Sequence, residues 1–387
     1  MEKFLVSVLL LAVNAFLLVY PSTSFVVTNE RSGCWFPAAP RGCPSSSRGR
    51  SATVEDNESP APIFPNDEND LRFSGVGRLF TTTPPPSSAA SEENHPGGAP
   101  EEPQPREDHL RVVDRMQRSR VVVVGLGGVG SWAAEALCRS GVGHITLIDL
   151  DDICISNTNR QLHALSTSVG QMKIDAMKAR LEEINPSVEV TLVHDFVSKE
   201  NADDVWETIR ELSPVPVTAC LDAIDGSDAK TAWIASCARR RVPIVTCGGS
   251  AGRTDPTKFT CDDLTRAVED NLLSSCRKNL RKYYGFQEGV SPGAKARDPK
   301  TGKLRKKLPR KWKIQAVYST EAPRQLPRGS GTSSLRRCDG ALGTACFVTG
   351  ASGFVAAGKI VEMIASDNLP VPKQFSGNQL REKTWGR

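Results

Sequence analysis

The sequence predicts an α/β protein with a doubly wound, mostly parallel sheet of Rossmann-like topology, extended at the carboxyl end by a strand and a helix. Residues 121–124 are four valines followed by Gly125, as expected for a strand buried on both faces. Beyond them, short β-branched runs alternate with apolar stripes at helical spacing. This alternation is typical of repeated strand–helix–strand units in one sheet.

The first half of the core contains three predicted strands and two helices. The helix after the valine strand has an apolar face formed by Val129, Trp132, Ala133, Ala136 and Leu137. Residues 145–149 form the second strand. Asn185 and Pro186 end a second helix, whose apolar stripe consists of Ile174, Met177, Leu181 and Ile184. A third strand follows, with alternating apolar side chains at Val188, Val190 and Leu192.

The second half supplies strands at 217–222, 242–247 and 315–318. A small-residue apolar stretch at 341–365 is long enough to suggest a membrane span. It is interrupted by Gly343, Gly350, Gly353, Gly358 and Lys359. We therefore expect a buried helix that packs on the sheet or at a dimer interface.

The segments outside this core differ from it in composition. Leu71 to Phe80 form a short island with two arginines, which we expect to be structured. Proline-rich and lysine-rich stretches interrupt the rest as exposed loops. The predicted organisation is a signal-like segment at 1–24, a transit-like disordered segment at 25–69, a core domain at 70–366 with insertions at 81–107 and 287–313, and a tail at 367–387.

The amino-terminal segments have the composition of a bipartite leader. An apolar run at 4–20 follows Lys3, as in a cleavable secretory signal, although a membrane anchor has a similar length. Residues 25–53 then carry four arginines and a single acid, which is transit-peptide composition. This order resembles the leaders of proteins bound for plastids of secondary origin. We expect plastid import, with the mitochondrion or a membrane as alternatives.

Charge and cysteine content exclude several classes of protein. The 49 basic and 44 acidic residues give a net charge of +5, which by itself identifies no partner. The 11 cysteines form no C-x-x-C pair, so neither a zinc ribbon nor a disulfide scaffold is supported. Five of them lie in apolar or helical stretches, which is typical of reduced, buried thiols: Cys138, Cys154, Cys220, Cys237 and Cys247.

A glycine-rich turn at the end of the valine strand predicts a nucleotide site. Gly125, Gly127, Gly128 and Gly130 lie between a strand and a helix, where the backbone can approach a phosphate at the helix amino terminus. Asp149 ends the second strand, where a carboxylate binds ribose hydroxyls. These residues alone fit a dinucleotide-dependent dehydrogenase equally well.

The residues that follow favour a triphosphate. Asp151, Asn157, Arg160 and Lys173 follow the second strand, and Asp225 lies just beyond the fourth. Arg and Lys neutralise charge on a pyrophosphate leaving group, an Asn holds an oxygen, and an acid carries Mg²⁺. Each of these residues alone is ordinary at a protein surface. Their order on adjacent loops indicates an ATP and Mg²⁺ site.

This pattern resembles the ThiF-type, ubiquitin-activating-enzyme-like superfamily, whose members adenylate carboxylates. The resemblance implies that the glycines hold phosphate, Asp149 binds ribose, and Asp225 holds the metal. It also implies that Asn157, Arg160 and Lys173 act on the triphosphate. Such proteins are usually homodimers in which an amino-terminal arginine enters the partner's site. Here the candidates are Arg72 and Arg78, and Arg78 is preferred.

Further motifs resemble the tRNA threonylcarbamoyladenosine dehydratase family, at 72–79, 157–164, 246–249, 254–257 and 318–321. The family resemblance implies ATP-dependent cyclisation of threonylcarbamoyladenosine beside the tRNA anticodon, through an acyl adenylate. Cys338 matches a cysteine position of relatives. For Cys247 and His163 we expect structural roles. A sulfur-relay protein is a further partner that the family suggests.

Two other functions remain open at the level of sequence. An activator of a ubiquitin-like or sulfur-carrier protein would use the same fold, but its usual C-x-x-C pairs are missing here. A non-catalytic nucleotide- or tRNA-binding protein would not be expected to keep all the charged groups. Basic segments at 277–278, 281–282 and 287–313 are consistent with tRNA, although a solvated lysine-rich loop would look the same.

Overall fold

A computed structural model of the chain describes residues 68–81, 105–287, 311–324 and 342–373. In these residues a seven-stranded sheet has the order β3-β2-β1-β4-β5-β7-β6, and only β6 is antiparallel to its neighbour. The strands are β1 Arg120–Val124, β2 His144–Ile148, β3 Glu189–Val193, β4 Val217–Asp222, β5 Ile244–Cys247, β6 Phe259–Asp263 and β7 Gln315–Ser319. The predicted doubly wound α/β class is confirmed.

Helices cover both faces of the sheet. They are α1 Glu68–Thr81, α2 Pro105–Arg118, α3 Gly130–Arg139, α4 Lys173–Ile184, α5 Ala202–Leu212, α6 Ser227–Arg240, α7 Asn271–Tyr283 and α8 Cys346–Ala365. Alternate residues of β1 face the two layers, since Val121 and Val123 pack with α3, α4 and α8 while Val122 and Val124 pack with α5 and α6. This explains why β1 is apolar without alternation.

Several elements differ from the sequence expectation. The insertion expected at 81–107 is shorter on both sides, because α1 extends to Thr81 and α2 begins at Pro105. Helices α2 and α7 and strand β6 were not predicted. Four of the five residues of β6, Phe259–Asp263, are only partly buried, and the strand ends in two acids, which is an edge-strand composition with a weak apolar signal.

The carboxyl-terminal helix α8 packs within the domain. Gly353 lies against Val129 and Trp132 of the neighbouring helix α3 and its N-cap, and a Cβ at Gly353 would be 2.6 Å from the Val129 carbonyl oxygen. Among the described helices, α8 has the length and composition to cross a membrane, and 61% of its most apolar window is buried in the protein. Most of the apolar surface of α8 is therefore covered by the core, as expected from its glycines.

Several predicted segments lie outside the described residues. They are the leader and transit-like segment, most of both insertions, Cys338 and the end of the tail.

Candidate nucleotide-binding site

A cavity of about 610 Å³ lies at the carboxyl edge of the parallel strands. The loops after five successive strands form its wall, and Thr344 and Thr349 close it from the region of α8. Following the sheet order, these loops contribute residues 195–197 after β3, 149–157 after β2, 125–129 after β1, 223–225 after β4 and 247–250 after β5. Ligands of doubly wound proteins bind at this edge.

The glycine-rich turn is tight for steric reasons. Gly125 has a φ of 84°, and a Cβ at Gly130 would lie 1.8 Å from the Gly125 carbonyl oxygen. A Cβ at Gly127 would meet only the Gln161 side-chain nitrogen, at 4.0 Å. Gly125, Gly127 and Gly128 line the cavity, whereas Gly130 does not. Gly130 therefore shapes the turn, and Gly127 leaves room for a ligand to approach the backbone.

Two buried side chains hold the peptide of Leu126 inside this turn. The Leu126 N–H donates to Asp149 Oδ2 at 2.6 Å, and the Leu126 carbonyl lies 2.9 Å from His163 Nε2. Burial lowers the pKa of His163, so the ring is neutral and Nε2–H donates. These contacts agree with the structural role expected for His163.

Asp149 has a second backbone partner, because its Oδ1 accepts from the Asp151 N–H at 2.9 Å. It nevertheless lines the cavity, and a carboxylate has about four acceptor positions. Its geometry fits a group that orients the turn and also accepts from a hydroxyl.

Lys173 is the first residue of α4 and is buried. Its Nζ lies 2.5 Å from Asp151 Oδ2 and 4.0 Å from Asp149 Oδ1. The Lys173 N–H also donates to the Asp151 carbonyl, at 3.0 Å. Asp151 therefore fixes the ammonium group at the cavity wall, where it can face an anion.

Asn157 and Arg160 lie on the loop between β2 and α4. Asn157 is buried, and its Oδ1 accepts from the Cys154 N–H at 3.0 Å. Arg160 Nη1 donates to the Ser156 carbonyl at 2.8 Å and to Asn159 Oδ1 at 2.9 Å. Trp132 Nε1 donates to the Arg160 carbonyl, at 3.0 Å. The loop is thus held locally and from the neighbouring helix, and both side chains line the cavity.

Asp225 is exposed on the loop after β4 and lines the cavity. Its carboxylate forms no hydrogen bond or ion pair with another described residue. Beneath it, Asp222 is fully buried and pairs with buried Lys230 at 2.9 Å. Asp222 also accepts from Thr246 Oγ1 at 2.7 Å and from the Ile224 N–H at 3.0 Å. This network anchors the loop that presents Asp225, and sequence reasoning missed it, although a charged residue ending an apolar strand was visible.

The donor set fits Mg²⁺ rather than a metal with a full protein cage. In the described residues no group of three His, Cys, Asp or Glu side chains could hold a metal. Mg²⁺ usually keeps several waters and uses one or two carboxylates together with substrate phosphates. The exposed carboxylate of Asp225 meets this requirement.

Other candidate residues are not part of this cavity. Arg78 is exposed on α1 and does not line it. Arg72 donates to the Ile184 carbonyl at 3.1 Å and pairs with Glu68, so it is engaged within its own chain. Cys338 lies outside the described residues. Cys247 does line the cavity, but burial raises the pKa of its thiol to about 12, as expected for a core residue rather than a nucleophile.

The residues at the two ends of the cavity were not predicted from the sequence. Asp195, Phe196 and Val197 follow β3, and Phe196 has an exposed ring on the cavity wall. At the other end, after β5, lies Ser250, which directly follows the motif at 246–249. The position of these segments directly after predicted strands was the available signal.

Fold and site together define a nucleotide-binding α/β protein whose cavity joins a glycine turn, two cations and several carboxylates. The model of the ThiF family matches residues 106–385. A tRNA threonylcarbamoyladenosine dehydratase of Haemophilus influenzae is 35% identical over 301 residues, which cover 77% of this chain and 95% of that protein. The Escherichia coli protein of the same name is 38% identical over 248 residues, 62% of this chain and 83% of the relative.

A crystal structure of the Escherichia coli tRNA N6-threonylcarbamoyladenosine dehydratase in complex with ATP superposes with a TM-score of 0.56. The two chains are 32% identical, and the match covers 79% of this chain and 98% of that one. The chain belongs to the ThiF family and, within it, to the tRNA threonylcarbamoyladenosine dehydratases.

Proposed function

We propose that this protein uses ATP to cyclise N6-threonylcarbamoyladenosine next to the anticodon of tRNA, with loss of water. The observation that carries the proposal is the placement of charge around the glycine turn. The glycine turn follows β1, which lies between β2 and β4 in the sheet. Lys173 lines the cavity on the β2 side of the turn, and Asp225 lines it on the β4 side. Similarity to relatives with this activity, one of them solved with ATP, supports the same substrates.

The chemistry has two steps. An oxygen of the threonine carboxylate attacks the α-phosphorus of ATP, and pyrophosphate leaves with the charge that Lys173 and Arg160 neutralise. Mg²⁺ held by Asp225 would neutralise part of the same charge. A nitrogen of the same modification then attacks the acyl carbon, and AMP leaves as the ring closes. The nucleophile is tethered to its electrophile, so the second step has a high effective concentration and needs no enzyme nucleophile.

The experiment is mass spectrometry of nucleosides after incubation of tRNA carrying threonylcarbamoyladenosine with ATP, Mg²⁺ and the protein. We expect the modified nucleoside to lose the mass of one water while AMP accumulates. Asp225→Asn should abolish both signals. Asp228→Asn should leave both unchanged, because Asp228 is an exposed carboxylate on α6 that does not line the cavity. AMP formation that requires a carrier protein instead of tRNA would indicate the carrier-activating function.

We also propose that the protein acts as a homodimer in which Arg78 enters the partner's cavity. The exposed guanidinium group of Arg78 forms no hydrogen bond or ion pair with the described residues of its own chain. The exposed rings of Phe347 and Phe354 on α8 leave apolar surface uncovered. Arg78→Ala and Asp225→Asn proteins, each inactive alone, should recover activity when mixed, since one mixed site regains both groups. Absence of recovery in a mixture shown to exchange subunits would contradict the dimer.

Exposed basic residues of α7 support a tRNA surface. Lys278 and Lys282 are both exposed. Exposed lysines suit a phosphate backbone. Lys278→Ala with Lys282→Ala should weaken tRNA binding and reduce its salt dependence, while ATP binding stays unchanged.

Plastid import and a sulfur-relay partner rest on sequence resemblance alone. For import, residues 1–53 fused to a fluorescent protein should direct it to the plastid. A mitochondrial or membrane signal would identify one of the alternatives.

A further inference from the structure

Unpaired buried polar atoms mark a second part of the cavity. Ten described residues have a buried side-chain nitrogen or oxygen without a hydrogen-bond partner, and two of these ten, Gln161 and Ser250, line the cavity. They are 8% and 9% exposed. A buried polar atom without a partner costs about 1–3 kcal/mol, and most such atoms in proteins are paired. Partners supplied by a ligand would satisfy the Gln161 carbonyl and the Ser250 hydroxyl.

These two residues lie away from the predicted nucleobase end. Asp149 places the ribose at β2, so the base extends toward β3 and the phosphates toward the glycine turn. Gln161 stands next to Gly127 of that turn, and Ser250 follows β5. The loops after β3 and β5 are four strand spacings apart, about 19 Å. The region over β5 is therefore available to a second substrate.

Buried side chains fix the turn that carries Ser250 through hydrogen bonds to its backbone. Asp270 Oδ2 accepts from the Gly249 N–H at 2.9 Å, and Arg253 Nε donates to the Gly249 carbonyl at 2.8 Å. Arg253 and Asp270 form an ion pair of 3.3 Å and are 4% and 5% exposed. Thr344 Oγ1 donates to the Ser250 carbonyl at 3.4 Å. Such support is what a preorganised recognition site requires.

We propose that Gln161 and Ser250 recognise the threonylcarbamoyl group, and that they do so through the urea and hydroxyl groups that flank its carboxylate. The inference rests on the proposed function. The Gln161 amide oxygen accepts from a urea N–H, and the Ser250 hydroxyl bonds to the threonine hydroxyl or a urea oxygen. The two residues thereby hold the carboxylate toward the α-phosphate and determine which acceptor is used.

The test uses Ser250→Ala and Gln161→Met in the full chain. We expect the KM for modified tRNA to rise about tenfold or more in each variant, with the Kd for ATP unchanged. The free energy of unfolding should stay the same or rise, because the substitution removes a buried unpaired atom. If the two residues had a merely structural role, their substitution would lower the free energy of unfolding. Ser250→Thr keeps the hydroxyl, so its KM for modified tRNA should lie between those of the wild type and Ser250→Ala.

Ser352→Ala is the matched control, since Ser352 is a buried hydroxyl of α8 that does not line the cavity. Its KM for tRNA should match that of the wild type. If the wild type cyclises the nucleoside and both variants keep its KM for tRNA, the inference is wrong while the proposed function stands. If the variants instead lose ATP affinity, the unpaired atoms belong to the nucleotide and the inference is also wrong. A wild type without cyclising activity overturns both.

Discussion

The loops after β1 and β2 and the loop after β5 line the same cavity, yet they are built differently. In the first region charges are already matched, with Lys173 against Asp151 and Asp149 against the Leu126 N–H. In the second region a buried ion pair supports a turn whose Ser250 hydroxyl has no partner. Apart from the unpaired Gln161 carbonyl next to Gly127, the first region suits a nucleotide of fixed charge, and the second suits a substrate that supplies its own hydrogen bonds.

The two regions also differ in how the chain assembles them. Residues of the first come from one continuous segment, 125–173. The second combines four distant segments, because Arg253 pairs with Asp270 and donates through Nη1 to the carbonyls of Ser319 and Glu321, and Gly252 donates to the Gly343 carbonyl. Arg253 is therefore the residue on which the second region depends most.

The largest effect is expected from Arg253→Met. It removes the cation from buried Asp270 and the five hydrogen bonds that Arg253 donates. Breaking a buried pair in this way costs about 3–5 kcal/mol of unfolding free energy. Urea denaturation followed by circular dichroism measures this loss of unfolding free energy. Arg239→Met, which breaks an exposed pair with Asp203, should cost about 0–1 kcal/mol. Equal losses of unfolding free energy in the two variants would show that the buried pair of Arg253 contributes no more than an exposed pair.

Next in size is Lys173→Met, which tests the first region. Removing the ammonium group takes one stabilising charge from the leaving pyrophosphate, so the rate of AMP formation should fall by about 10²–10³-fold. Lys178→Met is the control on the same helix, since Lys178 does not line the cavity and pairs with Glu182. Its rate should equal that of the wild type. A comparable loss in both variants would place the effect in α4 and not at the phosphates.

The first region could be predicted from sequence because its signals are local. Glycines follow the valine strand directly, Asp149 directly follows β2, Lys173 begins α4, and Asp225 lies on the short loop between β4 and α6. The fold class followed from the same alternation. Arg253 gave no such signal, since its partners are sixteen to sixty-eight residues away along the chain apart from Gly249. Edge strand β6 was missed because its apolar pattern is weak.

A smaller effect separates two glycines of the phosphate turn. At Gly127 a Cβ has open space on the cavity side, so Gly127→Ala should leave stability within about 0.5 kcal/mol of the wild type. The same methyl group would crowd a bound phosphate and raise the Kd for ATP about tenfold. Gly130→Ala, whose Cβ would lie 1.8 Å from a backbone oxygen, should instead destabilise the fold. Calorimetry measures both quantities. An unchanged ATP affinity in Gly127→Ala would exclude close phosphate approach at this position.

The smallest effect concerns pH and the support of this turn by His163. Burial lowers the pKa of His163 below its ordinary value of 6.5, and Lys173 nearby acts in the same direction. The unfolded chain therefore takes up the proton first as the pH falls. The stability associated with His163 is complete above about pH 6.5 and is lost below it, by up to about 1.4 kcal/mol per pH unit.

The physical reason is visible in the ring contacts, because Nδ1 is buried without a partner and a proton there would add an unpaired donor. His163→Gln keeps a side-chain donor for the Leu126 carbonyl and cannot titrate, so its Tm should depend less on pH between 5 and about 6.5 than that of the wild type. If His163→Gln retains the full wild-type slope, the neutral buried imidazole is not what links the phosphate turn to pH.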